Sequence, residues 1–372
     1  MPTTPGAAGR AVVAPRERRT GHGVRPWHSV GVPDPRVVLA VDGNAIVHRC
    51  FHSLAGTGFR DRAGRPMWAV RGLLTQLVAA VDRIDPDAVV VGFDDPDASV
   101  RRARWPQYKA QRAEKLPALV EQLTRAADVL RELGVPVVVP EGLEADDVLA
   151  SVARRAPAAG AATVVMTSDR DAFGLIGPHT RVLRIINGGV EASPVLTPER
   201  LVTLLGVRPD QYADFAALRG DPSDNLPGVR GVGPRTAARL LAALDTAEAA
   251  FADLDGDGAR VTAAVGPAIA ARLAEPGARA AWALNRAVMT MHGDVAVDLD
   301  AGRLPLPVAA VRDAFAAQDL TWTAAVALRV LARDDSAPPP PPRTPLETGW
   351  GAPRRTLPRL SRKVASDQLS LF

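Results

Sequence analysis

The sequence predicts an α/β fold, a mostly parallel sheet with helices on both faces, followed by a mostly helical second domain. Three observations predict it. Short apolar runs alternate with helically spaced apolar positions from Arg36 to about Met166. Those runs are almost continuously apolar, as strands covered on both faces must be. Beyond Pro198 the runs give way to short Ala- and Leu-rich helical patterns punctuated by Gly and Pro.

The elements follow in order. Residues 1–35 are rich in Gly, Pro and Arg without periodicity and are expected to form a disordered leader. Residues 37–41 read as a strand closed by Asp42-Gly43, and residues 69–84 as a helix. Residues 88–93 form a second strand ending at Asp94. A helix over 117–133 is terminated by Gly134, and a third strand spans 135–139. A helix over 146–155 leads to a fourth strand at 163–166, near Asp169. This α/β layer is assigned to residues 36–197. A helical domain over 198–335 contains patterns at 198–205, 211–218, 235–244, 261–274 and 308–317. Residues 336–372 begin with the proline run 338–342, an extended spacer, and continue as an Arg/Pro-rich tail.

Composition narrows the chemistry. The 372 residues suffice for two ordinary domains, and 4% aromatics leave a core of Ala, Val and Leu. A single cysteine, Cys50, excludes a disulfide framework and a cysteine-based zinc site. The histidines, His28 and His52 among them, have no zinc-site spacing. No run of 18 apolar residues points to a membrane span, and 11–14 is too short for a secretory signal core. A soluble, reducing, cytoplasmic home is expected. Lys109, Lys115 and Lys363 are the only lysines, a bias read as coding rather than function. The net charge of +4 is misleading, because the leader carries +3 and the tail +4, leaving −3 between them. Charge placement therefore says more than net charge.

Acids recur at strand ends. Asp42 follows the first strand, Asp94 the second, and Asp169 and Asp171 the fourth. Glu144, Asp146 and Asp147 sit between the third strand and its helix. In a parallel sheet these positions share the carboxyl edge, where ligands bind. A lone Asp there is an ordinary cap or turn residue. A set of seven repels itself unless a hard cation lies between its members, and Mg²⁺ suits carboxylate oxygens and water. Asp221 and Asp224 follow in Gly220-Asp221-Pro222-Ser223-Asp224-Asn225. Next come Gly228, Gly231 and Gly233 ahead of Pro234 and Arg235, a loop whose backbone N–H groups could hold a phosphate.

These motifs resemble the 5′→3′ exonuclease family, which includes the N-terminal nuclease domain of bacterial DNA polymerase I and the flap endonucleases. The matching segments are Val41-Asp42-Gly43-Asn44, Phe93-Asp94, Tyr108-Lys109-Ala110-Gln111-Arg112, Glu144 through Ala150, Thr167-Ser168-Asp169-Arg170-Asp171 and Gly220 through Gly233. They agree in order across residues 36–290. With no polymerase domain in the sequence, the chain is expected to be a stand-alone member. The resemblance implies a PIN-like nuclease fold followed by a helix–turn–helix unit that grips duplex DNA. It also implies two Mg²⁺ (or Mn²⁺) ions. Asp42, Asp94, Glu144 and Asp146 would hold the first, and Asp169, Asp171 and Asp224 the second. Asp147 and Asp221 match further acidic positions, acting through water or behind the ligands. The implied reaction is metal-assisted phosphodiester hydrolysis.

The segment from Arg101 to Lys115 holds six basic residues against Glu114, with Trp105 and Tyr108 interleaved. There the family has an arch or gateway. The resemblance makes Arg101, Lys109 and Arg112 candidates for steering the phosphate and stabilising transition-state charge. It makes Trp105 or Tyr108 candidates for stacking on a base. Gly228, Gly231, Gly233 and Arg235 would contact duplex phosphates, with a K⁺ ion at the helix–turn–helix. His48, Val100 and Met67-Trp68 depart from the family's usual residues, which bears on substrate preference.

The terminal Gln368-Leu369-Ser370-Leu371-Phe372 resembles the motif by which bacterial repair proteins bind the sliding clamp. Gln368 would hydrogen-bond, while Leu369, Leu371 and Phe372 supply its apolar part. The expected function is a 5′→3′ exonuclease with flap endonuclease capacity in replication or repair. The alternatives are a nuclease preferring RNA or RNA–DNA primers, and a non-catalytic DNA-binding adaptor tethered to the clamp.

Overall fold

The computed structural model describes residues 35–61 and 63–337. Nearly all of the expected leader, and the tail beyond 337 with Gln368, Leu369, Leu371 and Phe372, lie outside the described residues. The α/β layer comprises β1 (Arg36–Asp42), α1 (Gly43–Leu54), α2 (Trp68–Ile84), β2 (Ala88–Gly92), α3 (Val100–Arg104), α4 (Pro117–Glu132), β3 (Val137–Val138), α5 (Ala145–Arg155), β4 (Ala161–Thr167), β5 (Thr180–Arg184), α6 (Gly189–Ala192) and β6 (Val195–Leu196). The strand order is β3-β2-β1-β4-β5-β6, parallel except for β6.

Alternation within β1 explains why both faces are covered. Val37, Leu39 and Val41 face one core with residues of α1, α2 and α4. Val38 and Ala40 face the other, with Val148, Leu149 and Val152 of α5. Successive strand side chains point to opposite faces, so a strand apolar at every position must be sandwiched. The chain runs outward through β2 and β3, then returns across β1 to β4. That reversal opens a crevice at the carboxyl ends of β1 and β4, where open α/β sheets bind ligands.

The remainder comprises α7 (Pro198–Leu205), α8 (Tyr212–Arg219), the strand pair β7 (Gly220–Asp221) and β8 (Leu226–Pro227), α9 (Pro234–Leu244), α10 (Ala247–Asp255), α11 (Ala259–Val265), α12 (Pro267–Leu273), α13 (Pro276–Met289), α14 (Val308–Ala317) and α15 (Thr321–Val330). The α8 and α9 helices flank the small hairpin. Its tightness requires two glycines: a Cβ on Gly220 (φ +74°) would lie 2.2 Å from the Gly228 nitrogen, and one on Gly228 2.0 Å from the Arg219 carbonyl oxygen. Gly228 is thus required by packing as well as lying in the loop expected to meet a phosphate.

Some expectations change. The strand expected at 135–139 shrinks to two residues because Pro136 and Pro140 cannot donate to a ladder. The helix expected at 261–274 breaks into α11 and α12, where Gly266 has φ +85° and Pro267 lacks an N–H. The segment 198–335 does not fold as one helical unit. Residues 302–304 return to the sheet, Val89 N–H donating to the Gly302 oxygen (2.9 Å) and Leu304 N–H to the Asp87 oxygen (3.0 Å). Val311, Phe315, Leu320, Ala327 and Leu331 then complete the core around α2 and α4. Helices α14 and α15 thus bury their apolar faces on the α/β layer.

Candidate functional site

The carboxyl edge is assembled from five separated segments. Asp42 ends β1 and caps α1, its Oδ1 accepting from Ala45 N–H at 2.8 Å. Its Oδ2 accepts from the Thr167 hydroxyl (2.7 Å), at the end of β4. Asp94 follows β2, and its Oδ1 accepts from Ala145 N–H (2.9 Å) at the start of α5. Its Oδ2 accepts from the Asn44 amide (2.5 Å), while Asn44 Oδ1 accepts from Asp94 N–H (3.1 Å). Glu144 is the N-cap of α5 and Asp146 lies in its first turn. Asp169 and Asp171 follow β4, and Asp224 ends the short turn Pro222–Asp224.

Their electrostatics are those of crowded anions. Burial raises the Asp42 carboxyl to about 7; Asp94 and Asp169 add to this against the hydrogen bonds from Ala45 and Thr167. Burial, then Asp169, Asp221 and Asp224, raises Asp171 to about 8. Asp146 is pushed well up by burial and by Asp42, Asp169 and Asp171, and Asp94 upward mainly by burial. Asp146 Oδ1 and Asp171 Oδ1 are buried without a hydrogen-bond donor. Buried carboxylate oxygens without donors, among other carboxylates, fit hard cations as the missing partners. Among the described residues no three acidic, histidine or cysteine side chains form a ready coordination cage. The edge is a field of repelling oxygens rather than a closed shell.

Two residues expected at the reacting centre are instead structural. Arg101 is only 5% exposed and grips Asp147 through both terminal nitrogens at 2.7 Å. Its Nε and Nη2 also donate to the Val288 and Thr290 carbonyls, at 3.1 Å each, at the end of α13 and just beyond it. The fully buried Asp147 also accepts from Glu144 N–H (2.9 Å) and His292 N–H (2.7 Å). Each carboxylate oxygen thus accepts two bonds, so no lone pair remains for a cation. Burial would raise Asp147, but the Arg101 guanidinium holds it below the usual carboxylate range. Arg101 is therefore a clamp joining α3, α5 and α13, not a phosphate ligand. Tyr108 is corrected too. It is buried with Leu226 and Val288, and its hydroxyl donates to Glu144 Oε2 (3.0 Å), so its ring cannot stack on a base.

Lys109 and Arg112 do face the edge. Lys109 Nζ pairs with Glu144 Oε1 (2.8 Å), and Arg112 Nη2 with Asp224 Oδ1. Lys109 holds φ at +55°, a left-handed conformation costly for a side-chain-bearing residue, and its N–H donates to the Asp224 oxygen (3.0 Å). Gln111 donates to the Pro222 (2.9 Å) and Ser223 (3.1 Å) carbonyls. The gateway is thus folded down onto the turn carrying Asp224. Trp105 is half-buried, packs on the Tyr108 cluster and lies under Arg104. Asp221 Oδ1 accepts from the Ser223 N–H (2.8 Å) and hydroxyl (2.7 Å), stiffening that turn. Gly231, Gly233 and Arg235 are exposed at the start of α9, whose N-terminus has no side-chain cap. Asn44 and Thr167 went unassigned as positioning residues. Their signal was position, two residues after Asp42 and two before Asp169.

Comparison with known proteins agrees with this layout. Residues 37–205 match the model of the 5′-3′ exonuclease N-terminal resolvase-like domain, and 207–310 that of the 5′-3′ exonuclease C-terminal SAM fold. DNA polymerase I of Mycobacterium tuberculosis is 37% identical over 237 residues, 64% of this chain and 26% of that protein. Thermostable DNA polymerase I of Thermus thermophilus is 35% identical over 270 residues, 73% of this chain and 30% of that protein. The chain thus spans under a third of the length of these relatives. T5 5′-exonuclease bound to divalent metal ions (zinc) superposes with a TM-score of 0.51 at 19% identity, covering 80% of this chain and all of that one. The catalytic core of Rad2 in complex with DNA substrate gives 0.50 at 15% identity, covering 81% and 92%. At such identities the likeness is one of fold. No helix among the described residues is long and apolar enough to cross a membrane.

Proposed function

The chain belongs to the 5′–3′ exonuclease family, and on that premise we propose that it hydrolyses DNA phosphodiester bonds from 5′ ends and at flaps, using two divalent cations. One observation carries the proposal. Sequence-distant carboxylates, Asp42, Asp94, Glu144, Asp146, Asp169, Asp171 and Asp224, line one sheet edge, with donorless buried oxygens on Asp146 and Asp171. T5 5′-exonuclease, with divalent metal bound, and Rad2, with DNA bound, share the fold and support the reading.

Asp42, Asp94, Glu144 and Asp146 would hold one Mg²⁺ (or Mn²⁺), and Asp169, Asp171 and Asp224 the other, with Asp221 behind them. Such ions supply acidity to a water and charge to the leaving 3′ oxygen. The chain's own residues do the rest. Asn44 and Ala145 N–H orient Asp94, and Thr167 orients Asp42. Lys109 and Arg112, paired with Glu144 and Asp224, are poised to exchange those partners for the scissile phosphate. Trp105 borders the entering strand. Exposed amides near Gly231 and Gly233, with Arg235 and a K⁺ ion, hold duplex phosphates without reading sequence. The terminal motif Gln368–Phe372 tethers the enzyme to a sliding clamp in the bacterial cytoplasm. Its deletion is expected to abolish clamp pull-down and spare cleavage of free oligonucleotides; unchanged pull-down rejects the tether.

End-labelled duplex, flap and RNA-primed substrates with Mg²⁺ test the proposal. Products released from the 5′ end of DNA are expected. Absence of cleavage on every 5′-end substrate overturns it, and preference for the RNA-primed substrate replaces it with primer removal.

A pH effect follows from Asp42 and Asp171. Their folded-state values, about 7 and about 8, exceed an unfolded carboxyl's. The metal-free fold thus binds more protons than the unfolded chain, so stability present below about pH 4 is lost as pH rises through 7–8. Tm in EDTA is expected to fall from pH 5.5 to 8.5, and saturating Mg²⁺ to offset the fall with release of protons. Calorimetry in two buffers of different ionisation enthalpy reads that release; binding without it contradicts the assignment.

A further inference from the structure

We propose that a cleft beside the metal edge, lined by Arg170, Arg184 and Arg219, seats a backbone phosphate of the duplex-side DNA strand. The inference rests on the nuclease reading above and adds a contact that it did not contain.

The cleft has a volume of about 560 Å³. Its lining includes both Asp169 and Asp221 of the carboxylate edge and Pro234 at the start of α9. A strand laid from the carboxylate edge to the exposed Gly231–Gly233 loop therefore crosses it. Its floor is the aromatic row Phe173, Tyr212 and Phe215, with ring centroids 5.7 and 5.9 Å apart. These rings are buried and do not offer open faces for base stacking. Instead they carry guanidinium groups. Arg184 lies 5.6 Å from the Phe173 ring and Arg219 5.8 Å from the Phe215 ring. Cation–π contact fixes the planes of two long side chains and lowers the ordering cost of binding. Arg219 Nε is further held by the Gly220 carbonyl at 3.1 Å.

Three guanidinium groups line one cleft, two of them placed against its aromatic rings. Such planar, forked donors suit the oxygens of a phosphate, whereas a neutral base offers them no matching charge. The ligand chemistry is thus a phosphate ester, and the position between two backbone contacts selects the DNA backbone over a free nucleotide.

The test measures binding in an Asp94→Asn background with Mg²⁺, so that substrate is not consumed. Arg184→Gln is expected to weaken duplex-with-flap binding roughly three- to tenfold. It should also reduce the slope of log K against log salt by about 0.9, the loss of one phosphate contact. Affinity for single-stranded oligonucleotide is expected to stay constant. Arg219→Gln should act in the same direction, and Arg184→Lys should restore the slope, which separates charge from packing. Unaltered slope and affinity in both Gln variants, with Tm preserved, overturn the proposal. Binding of deoxyadenosine monophosphate that Arg184→Gln abolishes, with the DNA slope unchanged, also overturns it and marks a free-nucleotide site. If the wild-type enzyme cleaves nothing, the nuclease reading fails while the salt slope still reports on the cleft.

Discussion

Asp94→Asn is expected to lower kcat by about 10³-fold or more, on the order of 4 kcal/mol, while leaving affinity for flap DNA within about threefold. The side chain keeps its shape, and its oxygen can still accept from Ala145 N–H, the contact that orients the start of α5. What it loses is the charge facing a cation and the second oxygen, which accepts from the Asn44 amide. Asp94→Ala is expected to match that loss but to cost stability as well, because it strands the Ala145 N–H and the Asn44 amide. Single-turnover cleavage of a labelled flap, beside filter binding of the same substrate, separates chemistry from binding. An Asp94→Asn enzyme of wild-type kcat would remove Asp94 from the ligand set.

Arg101→Ala is expected to destabilise the protein by about 3–5 kcal/mol, lowering Tm by roughly 10 °C. The reason is asymmetry. Removing the guanidinium leaves the fully buried Asp147 charged without its partner, and frees the Val288 and Thr290 carbonyls. Asp147→Ala is expected to cost at least as much, since it also orphans the N–H groups of Glu144 and His292. Both changes loosen the residues that aim Glu144, so activity measured well below Tm should fall too. Thermal unfolding of the two variants checks the first claim. A Tm within 2 °C of wild type for Arg101→Ala would return Arg101 to the pool of residues free to meet substrate.

The contrast between Asp94 and Asp147 shows what was legible early. Both are acidic, lie at the strand-to-helix connections of the sheet and match family positions, and composition cannot distinguish them. Burial and hydrogen bonding can. Asp147 has its acceptor capacity filled by the protein, whereas buried oxygens of Asp146 and Asp171 have no donor. Arg101 and Arg112 diverge similarly. Both lie in one basic segment, yet one is enclosed and the other remains half exposed beside Asp224. Tyr108 and Trp105 part on the same ground.

Local pattern was not sufficient for α1, β5 or β6, but it was for β1 to β4, for α2, α4 and α5 and for the acids at the strand ends. Those features follow from period-two and period-3.6 burial and from short-range turn chemistry, which a linear sequence carries in full. The two-residue β3, the break between α11 and α12, the return of α14 and α15 to the sheet and the Arg101–Asp147 clamp required the folded chain. Their physical cause is long-range. Arg101 meets Thr290 across 189 positions, and Arg36 pairs with Asp300 across the same fold. Which of several similar charges becomes buried, satisfied or left facing a ligand is settled by neighbours that adjacency in sequence does not encode.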